Sequence, residues 1–596
     1  MNRTPYIRLP LLLCLLLLAF PLVAQEGAEE PAEPASGVID GNAEGAAADP
    51  EAGDFETFID VVDVRVVNVD VYVTDKKGNR VTGLTRDDFE LIEDRRPVEI
   101  TNFYAVEDDV PVDRVASTAI TDLDTPDAAP PTPIERAPVP ADQRLFLIVY
   151  IDNFNIHPIH RNRVVGELGY FLTKELDSED QVMLVTYDRS LNVRRPFTAD
   201  PALVARSLDE VVRLTGHQAT RLDERRQALE RIADSRSEAQ AVAQARLYAE
   251  SVENDLRFSL GALKEMVGYL AGLPGRKAVL YVSDGIPMVP GQDVFQSIAG
   301  KYGATSGLMD SFHYDASREF DQLANLANAN RVTFYTIDAA GLRLASTFAA
   351  ENSNPTAGLQ VDSAYNSNMQ SPLRFLADTT GGTAVINTNR ILGRMEQIAD
   401  DFDTYYSLGY SPQRAGTGRY HRIQVKVKGR RDLVVRHREG YRDKTVEAQM
   451  VDTTISSLQF GFVDNPLDVK VGFGDANKRD GRYYVVPVEV DIPLGEVVLV
   501  PRAGSHEGRV RLFIAARDQD GDSSPVQQVP VQISIPDDDV ERAKEQSYRY
   551  TVPLLMRSGP HQVAVGVRDE VAAKESYVVS TVDVGPPAGA ARRGGR

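Results

Sequence analysis

Two apolar runs in this chain stop at an aspartate. Leu145-Phe-Leu-Ile-Val-Tyr-Ile closes on Asp152, and Lys277-Ala-Val-Leu-Tyr-Val-Ser closes on Asp284 and then Gly285. Both read as strands. In an open α/β sheet, ligands bind where strands end at their carboxyl side. Acids from two such ends can meet over one hard cation, which takes oxygen ligands.

The pattern around these runs sets the fold class. From Gln143 onward, strands alternate with helices, the mark of a parallel sheet. Strands are expected at Leu145–Asp152, Gln181–Asp188, Lys277–Asp284, Arg331–Asp338 and Gly382–Asn387, with helices near 161–176, 200–213, 315–329, 371–379 and 391–403. Residues 221–272 are helical in composition, with a break expected near Ala233-Asp234-Ser235-Arg236-Ser237. Residues 340–370 carry no period and read as a long loop. On either side the period changes to two. Val67-Asn-Val-Asp-Val-Tyr-Val73, Phe89–Asp94 and Val98–Phe103 make a small β module over 56–108, and 413–445 reads as a β extension of the α/β domain. Tyr483–Ile492, Arg509–Ala516, Val529–Ile535, Tyr548–Val552, His561–Val567 and Tyr577–Val582 suggest a C-terminal β-sandwich over 446–585. The chain is therefore expected to be multidomain, α/β plus all-β, with the α/β domain at 143–412. Stretches 25–55 and 109–142 are rich in Ala, Pro and acids and read as linkers, and 586–596 reads as a Gly/Arg-rich disordered tail.

Length and charge narrow the function. At 596 residues the chain exceeds one core, and its net charge of -22 argues against nucleic-acid binding and against adhesion to anionic lipid. Residues 1–24 read as a secretory signal: Arg3 and Arg8 give a basic start, Leu9–Leu22 an apolar run, and Leu22-Val23-Ala24 a cleavage edge. Cys14 is the only cysteine and lies inside that signal. A mature chain without it has neither disulfides nor thiolate metal sites.

Residues 143–412 resemble a von Willebrand factor type A domain. The resemblance is carried by Asp152 at the first strand end, Gln181-Val-Met-Leu-Val-Thr-Tyr-Asp188, Thr198 after Arg195-Pro-Phe197, and Ser283-Asp284-Gly285. With Val81-Thr-Gly-Leu-Thr-Arg-Asp-Asp-Phe89 in front and Tyr405-Tyr-Ser-Leu-Gly-Tyr410 behind, residues 60–445 are similar to the bacterial VWFA-related family first described in acidobacteria. The resemblance implies a Rossmann-like domain that binds proteins through a metal-ion-dependent adhesion site, built from Asp-x-Ser-x-Ser, a Thr and an Asp. Here Phe154 and Ile156 occupy the two serine positions. The remaining candidate ligands are Asp152, Asn155, Thr220 and Asp284, which would hold Mg²⁺ or Mn²⁺ weakly.

Other motifs are bland. His157 and His160 have metal-compatible spacing but no third nitrogen or sulfur ligand nearby, and read as residues at a helix start. Asp518-Gln-Asp520-Gly521-Asp522 departs from a calcium loop and reads as a hairpin turn. No Gly-x-Ser-x-Gly, P-loop or His-Glu-x-x-His is present. The expectation is an exported, non-enzymatic binding or adhesion protein of the periplasm, outer surface or medium, whose partner is a protein or cell-envelope component. The alternatives are a divalent-metal hydrolase at Asp152 and Asp284, or an envelope scaffold with a dead metal site. N-terminal sequencing of exported material is expected to find a start within a few residues of Gln25; a retained Met1 would mean an uncleaved anchor.

Overall fold

A computed structural model describes residues 38–40, 66–107, 110–111, 144–176, 180–303, 306–343, 355–412, 416–502 and 504–585. The expected signal at 1–24, the tail at 586–596 and most of the two linkers lie outside the described residues.

The α/β domain is built on a six-stranded sheet: β1 (Leu145–Asp152), β2 (Gln181–Tyr187), β3 (Leu191–Thr198), β4 (Arg276–Ser283), β5 (Val332–Asp338) and β6 (Ala384–Val385). Their spatial order is 3-2-1-4-5-6. All neighbours run parallel except β3, an antiparallel edge strand on β2. Along β1 the side chains alternate between two cores. Leu145, Leu147, Val149 and Ile151 pack with α1 (Pro158–Lys174), α2 (Pro201–Val212) and a helix at Leu392–Asp403. Phe146, Ile148 and Tyr150 face the other way, toward the helices Glu238–Tyr269, Ser317–Ala329 and Pro355–Thr380. The result is three layers, helix on sheet on helix.

The helical stretch after α2 is a pair, α3 (Gln218–Asp234) and α4 (Glu238–Tyr269). Ser237 caps the second through its hydroxyl, which accepts from the Gln240 N–H. Ala241, Ala245 and Ala249 make a small-residue stripe on α4. It lets α3 and a further helix, α5 (Gln292–Tyr302), approach closely enough to form a satellite core with Leu229, Ile232, Val294, Phe295 and Ile298. Helix α6 is Ser317–Ala329, α7 is Pro355–Thr380 and α8 is Leu392–Asp403. The expectation of a loop over 340–370 is corrected there: residues 355–370 belong to α7, which is held by Val361 in the satellite core and by Leu373 and Leu376 in the core on the α4 side of the sheet.

The β module at 56–108 and the extension at 413–445 are one domain. One sheet orders the strands Leu433–His437, Val67–Asp75, Tyr405–Tyr410, Asn102–Glu107 and Val110–Pro111, and the other orders Gly440–Arg442, Tyr420–Val427, Phe89–Glu93 and Arg96–Val98. Tyr405–Tyr410 is therefore not the end of the α/β domain. It is the central strand of this sandwich, with Leu408 opposite both Val69 and Phe103. The α/β domain is inserted between the sandwich's two halves. A buried and a half-buried arginine join the two. Arg276 donates to the Phe402 and Asp401 carbonyls at 3.1 and 2.9 Å and lies 3.6 Å from the Tyr405 ring centre, and Arg436 forks onto Asp401 at 2.6 and 2.8 Å.

The last unit is a second sandwich, with Val488, Val490, Leu512, Ile514, Val563 and Val565 in its core. Two expectations are corrected here. Val38–Asp40, within the stretch read as a linker, is a short strand that pairs in parallel with residues 547–549 of this sandwich, Val38 opposite Ser547 and Asp40 opposite Arg549. The stretch 446–585, read throughout as a β-sandwich, also opens on a helix, α9 (Val446–Phe460). Helix α9 starts at a Thr445 hydroxyl cap and ends at Gly461, whose φ is 70°. Met450 and Leu458 pack on the sandwich, while Ser456 accepts from the Gly272 N–H at 2.9 Å and donates to the Tyr269 carbonyl at 2.7 Å. Gly272 sits so close that a Cβ would lie 2.2 Å from the Thr453 Cα. Gly272→Ala is therefore expected to push α9 off the α/β domain and cost about 1–3 kcal/mol, read as a lower unfolding midpoint and faster proteolysis near residues 443–446.

Candidate functional site

The strand order fixes where a ligand site belongs. Connections leave β1 and β4 toward opposite edges of the sheet, so a crevice opens at their carboxyl ends. Asp152 ends β1 and Asp284 follows β4.

Asp152 is 1% exposed. One carboxylate oxygen accepts from the Asn155 N–H at 3.0 Å, and the other accepts from the Asn155 carboxamide at 2.9 Å and the Tyr281 hydroxyl at 2.5 Å. Burial pushes its pKa above the ordinary carboxylate value, and the hydrogen bonds from Tyr281 and Asn155, with the charge of Arg221, offset only part of that. Asn155 ties the loop to the neighbouring strand: its carbonyl accepts from the Asp284 N–H at 3.0 Å and the Ser283 hydroxyl at 3.3 Å. Its side-chain oxygen is taken by the Arg221 guanidinium.

Asp284 is oriented from α1. Its Oδ2 accepts from the His157 N–H at 2.9 Å and lies 2.8 Å from His160 Nδ1. Its Oδ1 is buried without a hydrogen-bond partner. His157 also caps α1, its ring accepting from the Ile159 N–H at 3.3 Å. Gly285 has φ +93°, and a Cβ there would meet the Met369 carbonyl at 2.3 Å, so the turn after Asp284 admits only glycine without rearrangement.

The two residues at the serine positions are core residues of opposite layers. Phe154 packs with Tyr150, Tyr187 and the α4 face, whereas Ile156 packs with Val164 and the α1 face. Both are fully buried. Phe154 also carries two guanidinium groups over its ring, Arg189 at 5.3 Å and Arg221 at 5.1 Å.

The structure thus brings Asp152, Asn155 and Asp284 into one hydrogen-bonded cluster. Thr220 is exposed in the first turn of α3. The next residue, Arg221, is the one that reaches the cluster, and it also approaches Asp255 at 3.8 Å. Sequence reasoning passes over it. The same holds for Asp338, which closes the apolar run of β5 just as Asp152 and Asp284 close theirs. Asp338 accepts from Arg343 at 2.8 Å and Gln370 at 2.7 Å, and Arg343 also donates to the Asp284 carbonyl at 2.6 Å. Burial raises the Asp338 pKa against the opposing pull of Arg343.

This donor set does not fit the divalent ion that the sequence pattern suggests. Both Asp152 oxygens are occupied by protein donors, the Asn155 oxygen faces a guanidinium, and Phe154 and Ile156 supply none. No three His, Cys, Asp or Glu side chains stand together as a metal set among the described residues. A built-in cation occupies the electrostatic role instead. Titration with Mg²⁺ or Mn²⁺ is expected to show affinity no better than about millimolar, and Arg221→Ala is expected to strengthen it; micromolar binding by the unaltered chain would contradict this geometry.

No protein-family model matches the chain, and no curated protein matches it. Solved structures give faint likenesses. An aerotolerance-related membrane protein from Bacteroides fragilis is similar over 43% of this chain and 98% of its own length, at 9% identity and a TM-score of 0.20. BatB from Bacteroides thetaiotaomicron is similar over 44% of this chain and 98% of its own, at 11% identity and 0.19. A von Willebrand factor type A protein from Catenulispora acidiphila is similar over 74% of this chain and 66% of its own, at 10% identity and 0.19.

Proposed function

We propose that the inserted α/β domain is a von Willebrand A-like binding module that docks a protein partner on its strand-end face, and that it does so without depending on a divalent cation. The carrying observation is Asp284. It sits where the strand order reverses, held by His157 and His160, with one oxygen left unsatisfied. A buried acceptor without a protein partner calls for a water, an ion or a partner's donor to satisfy it. Two exposed apolar side chains flank it: Ile159, 72% exposed, between the two histidines, and Leu342, 57% exposed, next to Arg343. Apolar contacts beside a polar anchor suit a protein surface better than a small ion.

Cation independence follows from Arg221, whose guanidinium neutralises the Asp152–Asn155 cluster from within the fold. A binding role rather than catalysis is supported by the pairing at the face. The Ser283 hydroxyl donates to the Asn155 carbonyl and His160 is turned to Asp284, so these two do not make a nucleophile and base. The reading places the protein outside the cytoplasm, on the strength of the signal-like start of the sequence. No helix among the described residues is long and apolar enough to cross a membrane.

The test is capture from an envelope extract with the mature chain as bait. Capture is expected to persist in EDTA, to fall at least about tenfold for Asp284→Ala, and to be unchanged for Asp518→Ala, which alters a hairpin turn in the second sandwich. Circular dichroism checks that both variants fold. Capture that is indifferent to Asp284→Ala, with and without EDTA, would place binding elsewhere.

A further inference from the structure

At the opposite end of the same sheet, where the strands begin, the three folded units meet around a cleft of about 340 Å³. Five cationic side chains line it, Lys277, Arg331, Arg438, Arg442 and Lys444, against two carboxylates, Asp452 and Glu575. Lys277 lies at the start of β4 and Arg331 immediately before β5, both in the α/β domain. Arg438 lies between the last two strands of the first sandwich, Arg442 ends the last of them, and Asp452 lies on α9. For a chain whose net charge is -22 this is a local inversion of sign.

The carboxylates present do not balance it. Lys444 is paired with Asp452, Arg331 reaches Asp70 at 3.3 Å, and Glu575 is paired with Arg568. Among the described residues no salt bridge reaches Lys277, Arg438 or Arg442. The Lys277 ammonium, in a residue only 5% exposed, donates to the Leu273 carbonyl at 2.8 Å. Arg438 donates to the carbonyls of Asn328 and Asn68 at 3.0 and 2.7 Å. Arg331 Nε is buried with no hydrogen-bond partner. Like charges gathered with so little compensation are costly in a poorly solvated site. Burial, and then the charges of Arg331, Lys444 and Arg438, hold the Lys277 pKa well below its ordinary value.

We propose that this cleft binds a small oxyanion with two negative charges, of the phosphate or phosphate-monoester class. The Arg331 guanidinium, the Lys277 ammonium and the exposed Arg442 line the cleft and offer donors and charge to one tetrahedral anion. The space accommodates a phosphoryl group with a small substituent. Since the wall is drawn from every unit, the bound anion ties the three together.

Calorimetry on the full mature chain tests this with inorganic phosphate and, separately, glycerol 3-phosphate, at ionic strength matched with sodium chloride. Saturable one-site binding is expected, accompanied by a rise in unfolding temperature that chloride does not give. Tighter binding of glycerol 3-phosphate assigns the site to monoesters, and tighter binding of phosphate assigns it to the free ion. Lys277→Met and Arg442→Glu are each expected to weaken binding at least about tenfold. Arg442 is exposed, so its reversal decides the matter if Lys277→Met fails to fold. Equal responses to phosphate and chloride, or undiminished phosphate affinity in Arg442→Glu, would overturn the proposal.

Discussion

The strand-end face depends on one reversal of direction in the sheet. Strands β1 and β4 lie side by side, yet their neighbours were laid down toward opposite edges. No helix can cross over the gap between them, so the loops after Asp152 and Ser283 are left facing each other. Asn155 closes that gap with its own backbone and side chain, and Arg221 comes in from α3 to meet it. The long helical pair is thus more than an ornament of the domain. It delivers a positive charge to the place where the sheet cannot shield its own acids.

Much of this is legible in the residues, and the failures have physical causes. Strands β1, β2, β4 and β5 announce themselves because burial on both faces demands unbroken apolar runs. The break between α3 and α4 shows because Ser237 is an N-cap residue in an otherwise helical stretch. Helix α7 is hidden because its first half carries Gly358, Asp362, Ser363, Asn366 and Ser367, weak helix formers that only packing makes helical. Helix α9 is rich in Thr, Val and Ile and imitates a strand, although Thr445 and Gly461 at its ends are the available signal. The insertion itself leaves no local trace. Tyr405–Tyr410 follows a helix after one residue, as the next strand of an α/β domain would. The strand-end acids stand out in the sequence, but Arg221 does not, because a charged residue on an exposed-looking helix gives no hint of which face it serves.

The two ends of the central sheet carry opposite electrostatic problems. At the carboxyl end, acids are buried and arginines are recruited to them, which leaves little for a dissolved cation to do. At the amino end, cations outnumber the acids and Asp70 is shared among several of them. There burial disfavours the Asp70 carboxylate, but Arg331, Arg276 and Arg438 outweigh it and lower the pKa. At one end the chain's own arginines answer the buried acids, and the other is left with charge to spare.

The split sandwich has a consequence for how the chain is made. The Leu84 N–H is bonded to the Tyr406 hydroxyl across 322 residues of sequence. At a synthesis rate of about 5–20 residues per second, the early strands wait roughly 15–65 s for their central partner. During that interval the two strands that should flank it stand as open edges, the form in which β structure pairs with the wrong neighbour. The intervening domain can finish its own sheet meanwhile, since its strands pair among themselves. Assembly therefore runs from the inside outward, and Val67–Asp75 and Asn102–Glu107 find their places only after the sheet that follows them in sequence.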